Sequence, residues 1–362
     1  MCLLMDGFCL RLPHGPGVRV AIKDLFDMAG LPTTAGSASV DPVPAERDAT
    51  CLAGVRSGAV VVGRTVMHEL AYGISGVNAW QGTPTNPLDA RWVPGGSSSG
   101  AAVVVANGEA DVAIGSDTGG SVRLPAACCG VAGLKTTWGR ISTEGVWPLA
   151  PSMDTVGPLA RDVAGLVLGM SLLEPGFALG EAVTAVGRLR LPVAAGVDAA
   201  VDAALQPFSS VDVALPGWDE ASTAGGVLLS HEAHGLVGHL VETGRVGADV
   251  AGQLTRGGSW TTADLSAATA VRRSWTAAVL AALAEHPVLA LPTMRDAPPS
   301  LQDATRMYDL RLTLPVNLAG VPAVSVPVPR RDGPPASLQL VGAPGSEEVL
   351  LATALVVEQA LR

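Results

Sequence analysis

The chain has 362 residues, 48% of them hydrophobic and 4% aromatic, with 33 acidic against 23 basic side chains and a formal net charge of −10. That supplies material for a sizeable buried core, and the acidic balance argues against a phosphate backbone as partner. Mean hydropathy is +0.37, yet no uninterrupted apolar run approaches the roughly 18 to 20 residues of a membrane span.

Near the N-terminus, Cys2 to Leu10 is apolar but lacks a basic flank and a small-residue cleavage site, so it does not read as a secretory leader, and a cytoplasmic location is expected. The segment VRVAIKDLF (Val18 to Phe26) is a β-branched run that ends at Lys23. An ammonium between apolar neighbours either snorkels to water or loses proton affinity and becomes a base. GAVVVG at Gly58 to Gly63 predicts a second short strand.

Two glycine-serine turns follow. GGSSSG spans Gly95 to Gly100, and DVAIGSDTGGSVRLPAACC spans Asp111 to Cys129. A glycine pair before a serine allows unusual dihedrals and lets consecutive N–H groups converge on a developing oxyanion. The simpler alternative is that Ser121 caps a helix starting beside it. A lysine and two such serines together favour chemistry, because a hydroxyl needs a base to become a nucleophile.

Downstream, AGLVLGMSLL (Ala164 to Leu173) predicts a buried helix, SWTAAVLAALAEH (Ser274 to His286) another helix, and PVLALP (Pro287 to Pro292) a strand. Nearly continuous apolar strands alternating with Ala-rich helices predict an α/β fold whose sheet is covered on both faces. RRDGPPAS (Arg330 to Ser337) predicts a hairpin-like loop. HEAHG at His231 to Gly235 sets two histidines on one helix face, but without a third ligand at zinc-like spacing no metal is expected. The seven tryptophans form no stacking array and read mostly as core, with one or two available to a pocket. Five cysteines, two of them adjacent at Cys128 and Cys129, do not form a disulfide framework.

Taken in register, VRVAIKDLF, PGGSSSG (Pro94 to Gly100) and GSDTGGSVRLPAACCG (Gly115 to Gly130) resemble the amidase signature hydrolases. Lys23 and Ser97 lie 74 positions apart, and Ser97 and Ser121 lie 24 apart, as in that family. GTPTNPL (Gly82 to Leu88), GLKTTWGRIS (Gly133 to Ser142), SMDTVGPLARD (Ser152 to Asp162), LPVNLAGVPAVSVPV (Leu314 to Val328) and SLQLVG (Ser337 to Gly342) are similar to further family segments. The resemblance implies one domain over residues 1–362, a mixed sheet sandwiched by helices, with core motifs at 18–162, a variable substrate-shaping region at about 176–274 and a C-terminal family segment at 287–362.

The same resemblance implies Ser121 as nucleophile, Ser97 as a bridging serine on a cis peptide bond, and Lys23 as the base. It implies an oxyanion hole from the N–H groups of Thr118, Gly119, Gly120 and Ser121, with Ser98, Asp117 and Arg123 in support. The reaction implied is cleavage of a small carboxamide to a carboxylate and ammonia or an amine, without a cofactor. The expected partner is that small molecule, with neither nucleic acid nor membrane, and a homodimer is compatible with the sequence. The short stretch before Lys23 and the compact length argue against the transamidosome glutaminase subunit. Residues Thr65 to Pro87 look more like indole-3-acetamide hydrolases, so an arylacetamide is the first expectation. The alternatives are an anionic urea-like amide such as allophanate or a carboxybiuret, for which Arg256, Arg272, Arg273 and Arg306 are candidate recognition groups, and a binding module that has retired the chemistry.

Overall fold

The computed structural model describes residues 4–306, 309–331 and 333–362. The strands are β1 (Leu4–Met5), β2 (Phe8–Arg11), β3 (Arg19–Lys23), β4 (Val60–Thr65), β5 (Thr83–Pro84), β6 (Val112–Asp117), β7 (Ala132–Lys135), β8 (Thr155–Ala160), β9 (Ala185–Leu189), β10 (Ser209–Val213), β11 (Val288–Pro292), β12 (Ala323–Val328) and β13 (Ala336–Gly342). Among the described residues, eleven of them form one sheet in the order β10-β9-β11-β13-β12-β7-β8-β6-β3-β4-β2, while β1 and β5 pair separately. The sheet is mixed. β3 runs parallel to β4 and β6, whereas β6 and β8 are antiparallel, as are β12 and β13.

Alternation along β3 shows why it sits in the middle. Val20 and Ile22 join a core with Val163, Leu166 and Met170, whereas Ala21 joins Ala113 and Leu159 under Ala101 to Val105. Those flanking residues belong to α4 (Val163–Leu173) and α2 (Ser99–Ala106). The strand is therefore apolar on both faces because helices cover both. The remaining helices are α1 (Ala53–Gly58), α3 (Arg123–Cys129), α5 (Ala195–Ala204), α6 (Trp218–Val237), α7 (Ala248–Gly257), α8 (Thr262–Glu285), α9 (Leu314–Leu318) and α10 (Glu347–Ala360).

Local signals set several boundaries. Asp162 caps α4 by accepting from the Gly165 N–H at 2.8 Å. α8 starts well before the expected Ser274, because Thr261 and Asp264 form a capping box. Strand β4 begins at Val60, not Gly58, since α1 runs on through Gly58. The loop expected at 330–337 does join β12 to β13 as a hairpin but ends earlier, since Ala336 and Ser337 already pair in β13; position 332 lies outside the described residues. No helix among the described residues is long and apolar enough to cross a membrane.

Candidate active site

Three parallel neighbours, β3, β4 and β6, end side by side, and the crevice at the carboxyl ends of parallel strands is where α/β sheets place ligands. Lys23 is the last residue of β3 and is wholly buried. Its Nζ lies 2.7 Å from Ser97 Oγ and 2.8 Å from Ser116 Oγ, and among the described residues it makes no ion pair. Burial pushes the amine down to about 7, against the opposing pull of Asp117 and Asp154. In its neutral form the nitrogen carries a lone pair, so it can take a proton from one hydroxyl while donating to the other.

Ser97 precedes α2 and follows a cis Gly96–Ser97 peptide bond. Its carbonyl accepts from the His68 N–H at 3.0 Å, and the next N–H, of Ser98, donates to the carbonyl of Ser121 at 3.2 Å. The Ser98 hydroxyl donates to the carbonyl of Ser116 at 3.4 Å. The two glycine-serine turns are thus tied together through their backbones. Only glycine fits at position 76 behind this turn, where φ is +76° and an added Cβ would meet the Gly95 carbonyl at 2.3 Å.

Ser121 caps no helix: α3 begins at Arg123 after Val122, with no side-chain cap. The loop before it is held by Asp117, whose buried carboxylate accepts from the N–H of Gly120 at 2.8 Å and of Val122 at 3.1 Å. Arg123 grips the same carboxylate through Nε at 3.0 Å and Nη2 at 2.9 Å, and reaches Asn317 Oδ1 and Gln339 Oε1, each at 2.5 Å. The guanidinium holds the Asp117 carboxyl far below the usual carboxylate range, overcoming its burial.

The expected oxyanion groups, the N–H groups of Thr118, Gly119, Gly120 and Ser121, differ in what they touch. The peptide between Gly119 and Gly120 is anchored at both ends, its carbonyl accepting from Thr313 Oγ1 at 2.5 Å and its N–H donating to Asp117. The Gly120 N–H is thus already engaged within the protein. Thr118, Gly119 and Ser121 keep N–H groups with no intramolecular partner among the described residues, and Gly119 and Ser121 line one cavity. Thr118 lines a neighbouring cavity, and its hydroxyl donates to Asp154 Oδ1 at 2.6 Å.

The cavity at Ser121 is walled by Tyr72, Ile74, Leu149, Leu229 and Leu310, with Gln253 as a polar contributor from α7. Among the described residues no charged side chain lines it. The adjoining chamber shares Ala71 and Leu149 and is more polar, with Ser116, Thr118 and Asp154 beside Trp147. Of the candidate arginines, Arg272 is engaged by Ser152 and by the Leu318 carbonyl, and Arg256 and Arg273 are exposed and line neither cavity. The Arg306 side chain lies outside the described residues. His234 is bound through Nδ1 to the Leu254 carbonyl at 3.0 Å. Trp218 and Trp275 pack edge to face in the core at 5.3 Å, but Trp80, Trp138 and Trp260 are exposed, so the tryptophans are not mostly core as expected.

Several contributors were not foreseen from sequence. Ser116 is a polar residue inside the apolar strand β6, a signal that was present. Asp154, Thr313, Asn317 and Gln339 reach the site from distant elements, and no local spacing announces them.

The motifs, the mixed sheet and the crevice at its strand ends define a class, amide hydrolases built on the amidase signature fold. The family model described as "Amidase" matches residues 14–175 and 244–351, and the chain belongs to that family. It is 35% identical to one component of the glutamyl-tRNA(Gln) amidotransferase of Halobacterium salinarum over 404 aligned positions, covering 95% of each chain. With Amidase 1 of Arabidopsis thaliana it shares 48% identity over 168 residues, 45% of this chain and 39% of that one. A solved amidase superposes with a TM-score of 0.88 at 30% identity, covering 95% of this chain and 85% of its own. The chain is accordingly an amidase-family hydrolase of amide C–N bonds. Compact length does not set it apart from the amidotransferase component, because the Halobacterium protein aligns over nearly its whole length.

Proposed function

We propose that the protein hydrolyses a neutral carboxamide with an apolar acyl group, an arylacetamide such as indole-3-acetamide being the first candidate, through an acyl-enzyme on Ser121. Lys23 in its neutral form takes the Ser97 proton while Ser97 takes that of Ser121. The attacking Ser121 Oγ forms the tetrahedral intermediate, whose oxyanion is met by the N–H groups of Gly119 and Ser121. The proton returns along the relay to the leaving nitrogen, and water then releases the carboxylate.

The observation that carries this reading is the position of Lys23 Nζ, wholly buried, 2.7 Å from Ser97 Oγ and free of any ion pair among the described residues. A neutral substrate is supported by the uncharged lining at Ser121. An anionic urea-like amide would need a cation there. The test is ammonia release from a panel of indole-3-acetamide, phenylacetamide, benzamide, short aliphatic amides, glutamine and allophanate, with Ser121→Ala as control. Release from the ring-bearing amides that vanishes in the variant is expected. Preference for allophanate or glutamine would overturn the reading.

A further inference from the structure

We infer that Gln253 determines which ring amides are accepted, its side-chain oxygen taking a hydrogen bond from a ring N–H or O–H on the acyl group of the substrate. The inference rests on the acyl-group reading above and adds the chemistry of that group.

The amide orientation follows from its one bond. Gln253 Nε2 lies 3.4 Å from the Tyr72 carbonyl, and a carbonyl can only accept, so the nitrogen faces it and Oε1 occupies the other branch. Among the described residues no donor reaches Oε1. Of the other polar side chains of this cavity, Ser121 is the nucleophile of the proposal, and the Tyr72 hydroxyl is held protonated by burial, which pushes it up to about 12, so it offers a donor and leaves the acceptor role to Gln253. One acceptor without a donor in an otherwise apolar wall is the arrangement by which a pocket fixes orientation and selects among ligands of similar shape.

The acceptor is also held in place. The N-terminal end of α7 is fastened to the loop that supplies Ala71 and Tyr72. The Gly247 N–H donates to Glu69 Oε2 at 2.8 Å. Val250 and Leu254 bury the inner face of the helix. Gln253 therefore keeps its position relative to Tyr72 across the cavity, and an acceptor fixed before binding discriminates better than a mobile one.

The experiment compares kcat/KM for indole-3-acetamide, its N-methyl derivative and naphthalene-1-acetamide, on the wild type and on Gln253→Leu and Gln253→Met. The readout is the ratio between substrates, which a general loss of activity leaves unmoved. The wild type should favour the N–H-bearing ring by roughly tenfold over both others, and each variant should bring the ratios to within about twofold. Naphthalene controls for the bulk of the added methyl. Brisk turnover of all three by the wild type without preference, or a preference that survives both substitutions, overturns the role of Gln253 alone. Absence of turnover of any ring amide while aliphatic amides are hydrolysed overturns the acyl-group reading and this inference with it.

Discussion

Two lysines end two strands of the same sheet, and they differ in what they touch. Lys23 closes β3 and Lys135 closes β7; both are wholly buried, and burial pushes both down to about 7. Lys135 has the Arg123 guanidinium as a second cause, opposed by Asp117 and Glu347. Its Nζ donates to the Thr136 carbonyl at 2.9 Å, an acceptor with no proton to give. Lys23 sits between two hydroxyls, each able to donate or accept. A depressed pKa in the interior thus marks a buried amine and nothing more. A neighbour that can pass a proton on separates a candidate base from a structural lysine.

The sharpest test of that contrast pairs Lys23→Ala with Lys135→Met. The first should lower kcat by several orders of magnitude, because members of a relay act as a unit, while the second should keep kcat/KM within about tenfold. Comparable losses in both would erase the distinction. Ser97→Ala, which removes the hydroxyl next to Lys23 Nζ, should also cost orders of magnitude in turnover with little change in melting temperature. Normal specific activity with lowered stability would make Ser97 structural. In the wild type, kcat/KM should rise with pH through about 7 and then level, as Lys23 becomes neutral. A profile flat from pH 6 to 9 would remove Lys23 as the base.

Stability gives smaller effects. Arg123→Met leaves the Asp117 carboxylate buried without its guanidinium, and urea unfolding should show a loss of roughly 3 to 5 kcal/mol. A loss below about 1 kcal/mol would mean that Asn317 and the loop N–H groups suffice. The mildest signal comes from the lysines themselves. Between about 7 and the ordinary 10.5 the unfolded chain binds protons that the folded chain does not, so the penalty is full below pH 7 and is relieved as pH rises. Their contribution to stability should therefore increase from pH 7 toward pH 10, and Lys135→Met should flatten the rise.

What the sequence disclosed followed the range of its interactions. β3 ends at Lys23 as its β-branched run predicts, since the pattern and the strand are one local object. The helix at Ala164 to Leu173 was equally readable from its run of apolar residues. The loop from Thr118 to Ser121 was readable as a glycine turn but not in its wiring, because Thr313, Asn317 and Gln339 lie 194, 194 and 216 positions from the residues they bind. The Gly120 N–H could be seen as engaged only once Asp117 was placed beneath it. The pocket walls were least visible. Leu229 and Gln253 come from helices in a stretch without motifs, where an apolar or amide side chain on a helix face carries no mark of its use.

The ties from Arg123 to Asn317 and Gln339 have a consequence for how the enzyme comes into being. A ribosome makes the Ser121 loop long before it makes the residues that brace Arg123. During synthesis the serine is present while its final setting is not, and the braces arrive with the last strands of the sheet. A copy lacking Asn317 and Gln339 would carry Lys23, Ser97 and Ser121 and still lack two of the side chains that hold Arg123 over Asp117.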